Sequence, residues 1–192
     1  LDEVAAVAAC RTGTPTAGLA RYLRAARSEP VTVGPFRPRE VFEAFCVFEA
    51  RAELPEYQSG APPYETAGGG WAQDASEAPR VTRRVESRLV LTLPRRPPPP
   101  GGFPVTLFVR TGGGGDRPLV DRGRRAEPGG PPVAPGTGPA LELSRAGFAG
   151  LSWDGPHGGL RNVTGGDEQF LVFNFLNPEA LRDNLRQTAL EA

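Results

Sequence analysis

The sequence predicts an α/β chain built on a mostly parallel sheet. Three observations lead there. Residues 104–109 (PVTLFV) and 148–153 (FAGLSW) are short, almost wholly apolar runs that suit strands buried on both faces. Each is followed by a loop rich in Gly or Pro and then by a helical pattern. Two longer β-rich segments stand upstream of them.

The elements follow in chain order. Residues 14–27 read as a helix: Thr14 can cap, Pro15 fits the first helical position, and Leu19, Tyr22, Leu23 and Ala26 share a face. This helix must end before Pro30, so residues 1–40 form a helical amino-terminal extension. Residues 41–54, rich in Phe and Val, read as a strand whose mixed alternation leaves the first half open to helix. Breakers punctuate residues 57–71: Ser59-Gly60, Pro62-Pro63 and Gly68-Gly69-Gly70. Residues 81–93 are a clearer strand, with Val81, Val85, Leu89, Leu91 and Leu93 apolar and Arg83, Arg84, Glu86 and Arg88 suited to a solvated face. The four prolines at 97–100 favour polyproline II and form a stiff crossover spacer.

After the run at 104–109, a Gly/Pro-rich loop spans 116–139. A short helix at 140–146 carries Leu141 and Leu143 and stops at Gly147. In the last helix Asn177 caps, Pro178 starts, and Leu181, Leu185 and Ala189 line one face. It is still running at Ala192.

Composition narrows the function classes. The chain of 192 residues has 25 Gly and 22 Pro, close to the share typical of disordered chains, yet 39% hydrophobic residues can bury a core. It has arginine but no Lys, Ile or Met, the codon bias of a high-GC bacterium. The missing Met implies that residue 1 is not a translation start, so a leader has been removed or the chain is a fragment. A formal net charge of +0 supplies no basic field for nucleic acid or anionic membranes. The apolar runs are too short to span a membrane. Residues 4–9 are too short and too acidic upstream for a signal peptide. Cys10 and Cys46 are too few for a zinc cluster; they form one disulfide or remain two free thiols.

Few residues can carry chemistry. The glycines 112–115 let the backbone aim N–H groups at an anion or oxyanion. Without any Lys there is no phosphate loop, and no helix opens directly on the glycines as dinucleotide binding requires. A surface turn and an oxyanion turn at the end of a buried strand both stay open. His157, the only histidine, lies beside Asp154 in a tight loop and is either structural or the one imidazole available for catalysis. Ser152 lacks the Gly-x-Ser-x-Gly elbow, which occurs nowhere in the chain. Asp167-Glu168 is an acid/base pair or solvated charge, and Asn162-Val163-Thr164 matches a glycosylation acceptor. No motif calls for a metal or cofactor.

Residues 102–116, GFPVTLFVRTGGGGD, resemble the strand and oxyanion turn of bacterial α/β-hydrolases of the secreted lipase/esterase type. Residues 57–64 and 88–94 are similar to the β-rich lead-in of those proteins, often lipoproteins. Residues 147–159 resemble their next strand and its Asp-Pro-His-Gly loop, and 174–187 (NFLNPEALRDNLRQ) the helix before the nucleophile strand. The likeness covers roughly residues 45–192. It departs at Val109-Arg110, where the family has His-Gly.

The resemblance implies an incomplete α/β-hydrolase sheet behind a β-rich and helical amino-terminal lead-in. Residues 41–192 would be the amino-terminal half of the hydrolase domain, with 41–94 the lead-in strands and 103–192 the parallel part. It implies ester hydrolysis through a serine acyl-enzyme, with serine, acid and histidine all beyond Ala192, so that this chain alone is inactive. Thr111, Gly112 and Gly113 would form the oxyanion turn by their backbone N–H groups. Asp154, His157 and Gly158 would shape the site, and Arg110 could contact an anion. The expected partner is a small-molecule ester, not nucleic acid, and the expected location is periplasmic, outer-membrane lipoprotein or extracellular. A non-catalytic ligand-binding or interaction domain on the same sheet is the alternative, favoured by Arg110.

Overall fold

Two twelve-residue strands, β3 (Phe45–Glu56) and β4 (Arg83–Pro94), form the centre of the computed structural model, which describes residues 16–110, 117–121, 127, 131 and 133–192. Their β-branched and aromatic residues favour extended chain. They pair antiparallel along their whole length, from Phe45 opposite Pro94 to Glu56 opposite Arg83. Two short strands, β1 (Thr32–Val33) and β2 (Arg37–Val41), follow one another along the outer side of β3. Beyond β4 lie β6 (Ala149–Trp153), antiparallel to it, and β5 (Val105–Leu107), parallel to β6. The sheet order is β1-β3-β4-β6-β5, so the protein is mixed α/β around one six-stranded sheet.

The expected mostly parallel sheet needs correction. Among the described strands β5–β6 is the one parallel pairing. The segment between β3 and β4 contains no crossover helix, so the second strand returns antiparallel. Even so, β3, β5 and β6 run the same way, and their carboxyl ends share one edge.

Residues 104–109 are not buried on both faces. β5 is an edge strand, and Val105 and Leu107 are 56% and 48% exposed. An apolar run looks the same in sequence whether or not its side chains are covered. The mixed alternation of 41–54 also has a simple cause, since it crosses two strands. Val41 ends β2, the Phe42 N–H donates to the Phe45 carbonyl at 2.8 Å, and Phe45 opens β3, with no helix between.

The two sheet faces bury different partners. On one, Phe45, Val47 and Val90 pack with Leu119 and Val120 of helix α2 (Pro118–Asp121) and Ala140 of α3 (Pro139–Ala146). Helix α2 falls inside the expected loop 116–139; at four residues it is too short to show a helical period. Helix α3 ends as expected on Gly147, whose φ of 88° is left-handed. On the other face Ala52, Leu54 and Trp153 cluster with Val85 and Leu89. There the Trp153 indole N–H donates to Glu191 (3.2 Å) in the last helix, α5 (Pro178–Glu191). Helix α1 (Ala17–Ala26) sets Tyr22 flat on Trp71, 4.0 Å between centroids, and donates its hydroxyl to the Ala72 carbonyl (2.8 Å). Thr14 and Pro15 lie outside the described residues.

Helix α5 opens as its sequence predicts, with Asn177 Oδ1 accepting from the Ala180 N–H (3.2 Å) and Pro178 in the first turn. Its buried face is not the expected one. Leu181 and Leu185 are half-buried and Ala189 is exposed, whereas Ala180, Asp183, Asn184, Gln187 and Thr188 are buried. Among the described residues no helix is long and apolar enough to cross a membrane.

A covered helix residue and an exposed edge-strand residue predict contrasting mutational outcomes. Leu119→Ala should cost about 2–5 kcal/mol in denaturant unfolding, because its side chain is fully buried between sheet and helix. Val105→Thr should change stability by no more than about 0.5 kcal/mol.

Candidate functional site

The chain beyond β6 turns sharply because Asp154 gathers it. Its carboxylate accepts from Arg88 Nη2 (3.1 Å) and from the Leu160 N–H (3.0 Å). Its carbonyl accepts from Ser87 Oγ (2.9 Å). Gly159 (φ 48°) passes so close that a Cβ there would run into the Asp154 carboxylate, which fixes glycine at that position. Asp154 is thus a loop organiser with both carboxylate oxygens engaged.

His157 is buried in this loop at φ 59°, with the Tyr64 ring edge-on at 5.6 Å. Its Nε2 lies 3.3 Å from Asn184 Oδ1. Asn184 Nδ2 donates to the Val172 carbonyl (3.0 Å), so Oδ1 can only accept, and Nε2 carries the imidazole proton. Nδ1 is then an acceptor, with no hydrogen-bond partner among the described residues. Burial disfavours the imidazolium and pushes His157 down to about 4, against a smaller opposing effect of the Asn184 hydrogen bond.

His157 lines one wall of a cavity of about 250 Å³, together with Glu56, Tyr64, Arg83, Leu160 and Arg161. The cavity stands at the carboxyl ends of β3 and β6 and the start of β4. Its charges are neutralised in pairs. Glu56 Oε1 accepts from Arg83 Nη2 and from the Tyr64 hydroxyl, both at 2.7 Å, and Arg83 also bonds the Tyr64 hydroxyl. Arg161 pairs with Glu191 (2.8 Å) and approaches Glu56 at 3.7 Å. Burial raises the Glu191 carboxyl and the Arg161 charge opposes that rise. Burial is the largest cause that raises the Tyr64 phenol, the Glu56 carboxylate raises it further, and Arg83 opposes the rise.

The polar face of α5 explains why this wall holds its shape. Where β3 ends, backbone groups that the sheet leaves open need other partners. Gln187 Nε2 donates to the Pro55 carbonyl (3.0 Å), and Gln187 Oε1 accepts from the Tyr57 N–H (3.2 Å). Gln58 Nε2 donates to Asn184 Oδ1 (2.8 Å), and the Trp71 N–H donates to Asp183 Oδ2 (2.9 Å). The polar side chains of α5 therefore serve as partners for groups that the sheet leaves open. Asn184 touches both Gln58 and His157, joining the end of β3 to the loop after β6.

The remaining candidate residues fall into place around this frame. Arg110, just after β5, is buried and ion-paired with Glu168 of helix α4 (Glu168–Val172). Its charge is therefore met from within the chain. Glu168 Oε1 also accepts from the Gly159 N–H (2.8 Å), and a Cβ on Gly158 would lie 3.3 Å from Arg110 Nη1. The turn after β5 and the loop after β6 thus meet across Gly158 and are clamped by Glu168. Asp167 caps α4 by accepting from the Gln169 N–H (2.8 Å), so Asp167 and Glu168 have separate structural tasks. Ser152 is buried in β6, and Asn162 Nδ2 donates to the Gly166 carbonyl (2.8 Å). Thr111, Gly112 and Gly113, with the rest of the glycine run, lie outside the described residues. So does Cys10; Cys46 is a half-buried free thiol in β3.

Among the described residues no hydroxyl or thiol hydrogen-bonds to His157, and no three His, Cys, Asp or Glu side chains are grouped to hold a metal. What these residues provide is a rigid, charge-balanced wall with a neutral imidazole in it. Sequence reading missed Glu56, Gln58, Tyr64, Arg83, Asn184, Gln187 and Glu191. The signal was present in α5, where polar residues at 183, 184, 187 and 191 keep the helical spacing of one face.

The lowered His157 value sets a pH dependence. Below pH 6.5 the unfolded imidazole takes up a proton that the folded one refuses until about pH 4. Stability should therefore be full above about pH 6.5 and fall as the pH drops towards 4, by about 3 kcal/mol in all. Urea unfolding between pH 4 and 7 measures this slope, and His157→Gln should flatten it. No protein family, curated protein or solved structure matches the chain.

Proposed function

We propose that these residues form the amino-terminal half of a serine carboxylic-ester hydrolase whose nucleophile and its partners lie outside them. The observation that carries the reading is the joining of β5 and β6. They are parallel neighbours linked through two helices, and the chain segments that leave their carboxyl ends are locked together by Arg110, Glu168 and Gly159. Ligands of such sheets bind outside the carboxyl ends of the strands, and the loop after the equivalent strand in α/β-hydrolases lends an oxyanion N–H. In this reading Thr111, Gly112 and Gly113 polarise the ester carbonyl, and the Asp154–Gly159 loop walls the site. His157, neutral and hydrogen-bonded to Asn184, serves as wall and not as base. The family resemblance also supports an exported protein.

A second reading is a ligand-binding domain without catalysis, for which the charge-balanced cavity beside His157 offers a site built from the described residues. One experiment separates them. The product of the whole reading frame should hydrolyse nitrophenyl butyrate and take a fluorophosphonate label on a serine, while the 192-residue chain alone should do neither. A whole product that neither hydrolyses nor labels would leave the binding domain as the answer.

A further inference from the structure

The turn at residues 173–177 reverses the usual placement of side chains. Asn174 and Asn177 are buried, while Phe175 and Leu176 are 75% and 80% exposed, and nearby Phe170 is 71% exposed. The asparagines explain half of this. Asn174 Nδ2 donates to the Tyr64 carbonyl (2.7 Å), and Asn177 Nδ2 donates to the carbonyls of Tyr64 (2.9 Å) and Gly68 (3.0 Å). They tie the turn to the segment around Tyr64 and leave a groove of about 280 Å³ between the two. Pro63, Phe170, Leu171, Phe173, Phe175 and Leu176 line it. A groove whose walls are cross-tied by buried amides and whose apolar side chains stay uncovered is preformed for an apolar guest.

We infer that this groove binds an uncharged straight alkyl or acyl chain. Charge disfavours the anionic alternatives: among the described residues of the lining Glu65 carries the one charge, which repels a fatty carboxylate or an anionic membrane. Size disfavours a second protein. Three partly covered side chains of about 150–250 Å² each fall short of the roughly 800 Å² per partner that a stable interface buries. The groove also adjoins the polar cavity, since Pro62 and Tyr64 face that cavity while Pro63 and Glu65 face the groove. A molecule with a polar head and a neutral chain could occupy both sides of the same short segment. The inference concerns binding and stands whether or not the ester-hydrolase reading does.

The test uses the whole reading-frame product and the neutral fluorophore N-phenylnaphthylamine, displaced by straight-chain alcohols from butanol to dodecanol. Affinity should rise about fourfold per added methylene and then level off once the groove is full. Phe175→Ser combined with Leu176→Asn should weaken binding at least tenfold with unchanged circular dichroism, because both side chains are exposed. Phe170→Ser, on a different element of the lining, gives an independent second reading of the same loss. Absence of saturable binding, or affinity undiminished from the unsubstituted protein in both variants, overturns the proposal. So does capture by phosphatidylcholine vesicles without alcohol binding, which would make the patch a lipid-surface contact. A dimer in sedimentation that the double variant abolishes would make it an interface between copies and overturn it equally.

Discussion

The buried polar row of α5 is the constraint on which the rest of the site depends. Most helices dock by an apolar stripe, which tolerates sliding because hydrophobic contact has no direction. This one docks through Asp183, Asn184 and Gln187, whose hydrogen bonds fix distance and orientation at once. Their partners are backbone groups and a glutamine of an irregular segment that no strand completes. Loss of one amide would leave buried donors or acceptors unmatched, which costs more than the bond itself contributes. The position of His157 is inherited from this row through Asn184.

Around the row sits a set of buried charges that balances. Arg83, Arg88 and Arg161 face Glu56, Asp154 and Glu191. Buried pairs of this kind contribute little net stability, because desolvation offsets their attraction. Their effect here is geometric: Glu56 is held by both Arg83 and the Tyr64 hydroxyl, and Arg161 reaches Glu191 in α5. The ends of β3, β4, the loop after β6 and the last helix are thus fastened at one edge of the sheet. A cavity walled this way has little net charge of its own, so selectivity there rests on shape and on the neutral imidazole.

Much of the secondary structure was legible because local signals were strong. The period-2 pattern of 81–93, the glycine stop at Gly147 and the Asn177-Pro178 start all correspond to elements of the structure. What was illegible depended on partners far along the chain. Nothing local distinguishes an apolar run in an edge strand from one in a covered strand, so β5 stands where a strand is expected but without the expected cover. Leu119 and Val120 sit in a helix of one turn, below the length at which periodicity speaks. The site was harder still. Asp154 and His157 stand out in sequence, yet Gln58, Asn184 and Gln187 gain their roles only when residues more than a hundred positions apart meet. A hydrophobic-face search on α5 points to Leu181 and Leu185, the side the protein leaves partly open.

The docking of α5 also bears on the order in which the protein can form. Its bonds to Tyr57 and Pro55 span 130 and 132 residues, and the Gln58 bond spans 126. Separations of this size make for slow assembly, because loop closure must precede any return from contact. On the ribosome β3 and β4 can pair long before residue 187 is made. Until then the Tyr57 N–H and the Pro55 carbonyl lack their side-chain partners, and Arg161 beside the cavity lacks Glu191. The site is therefore among the last parts of this chain to appear, whatever it binds.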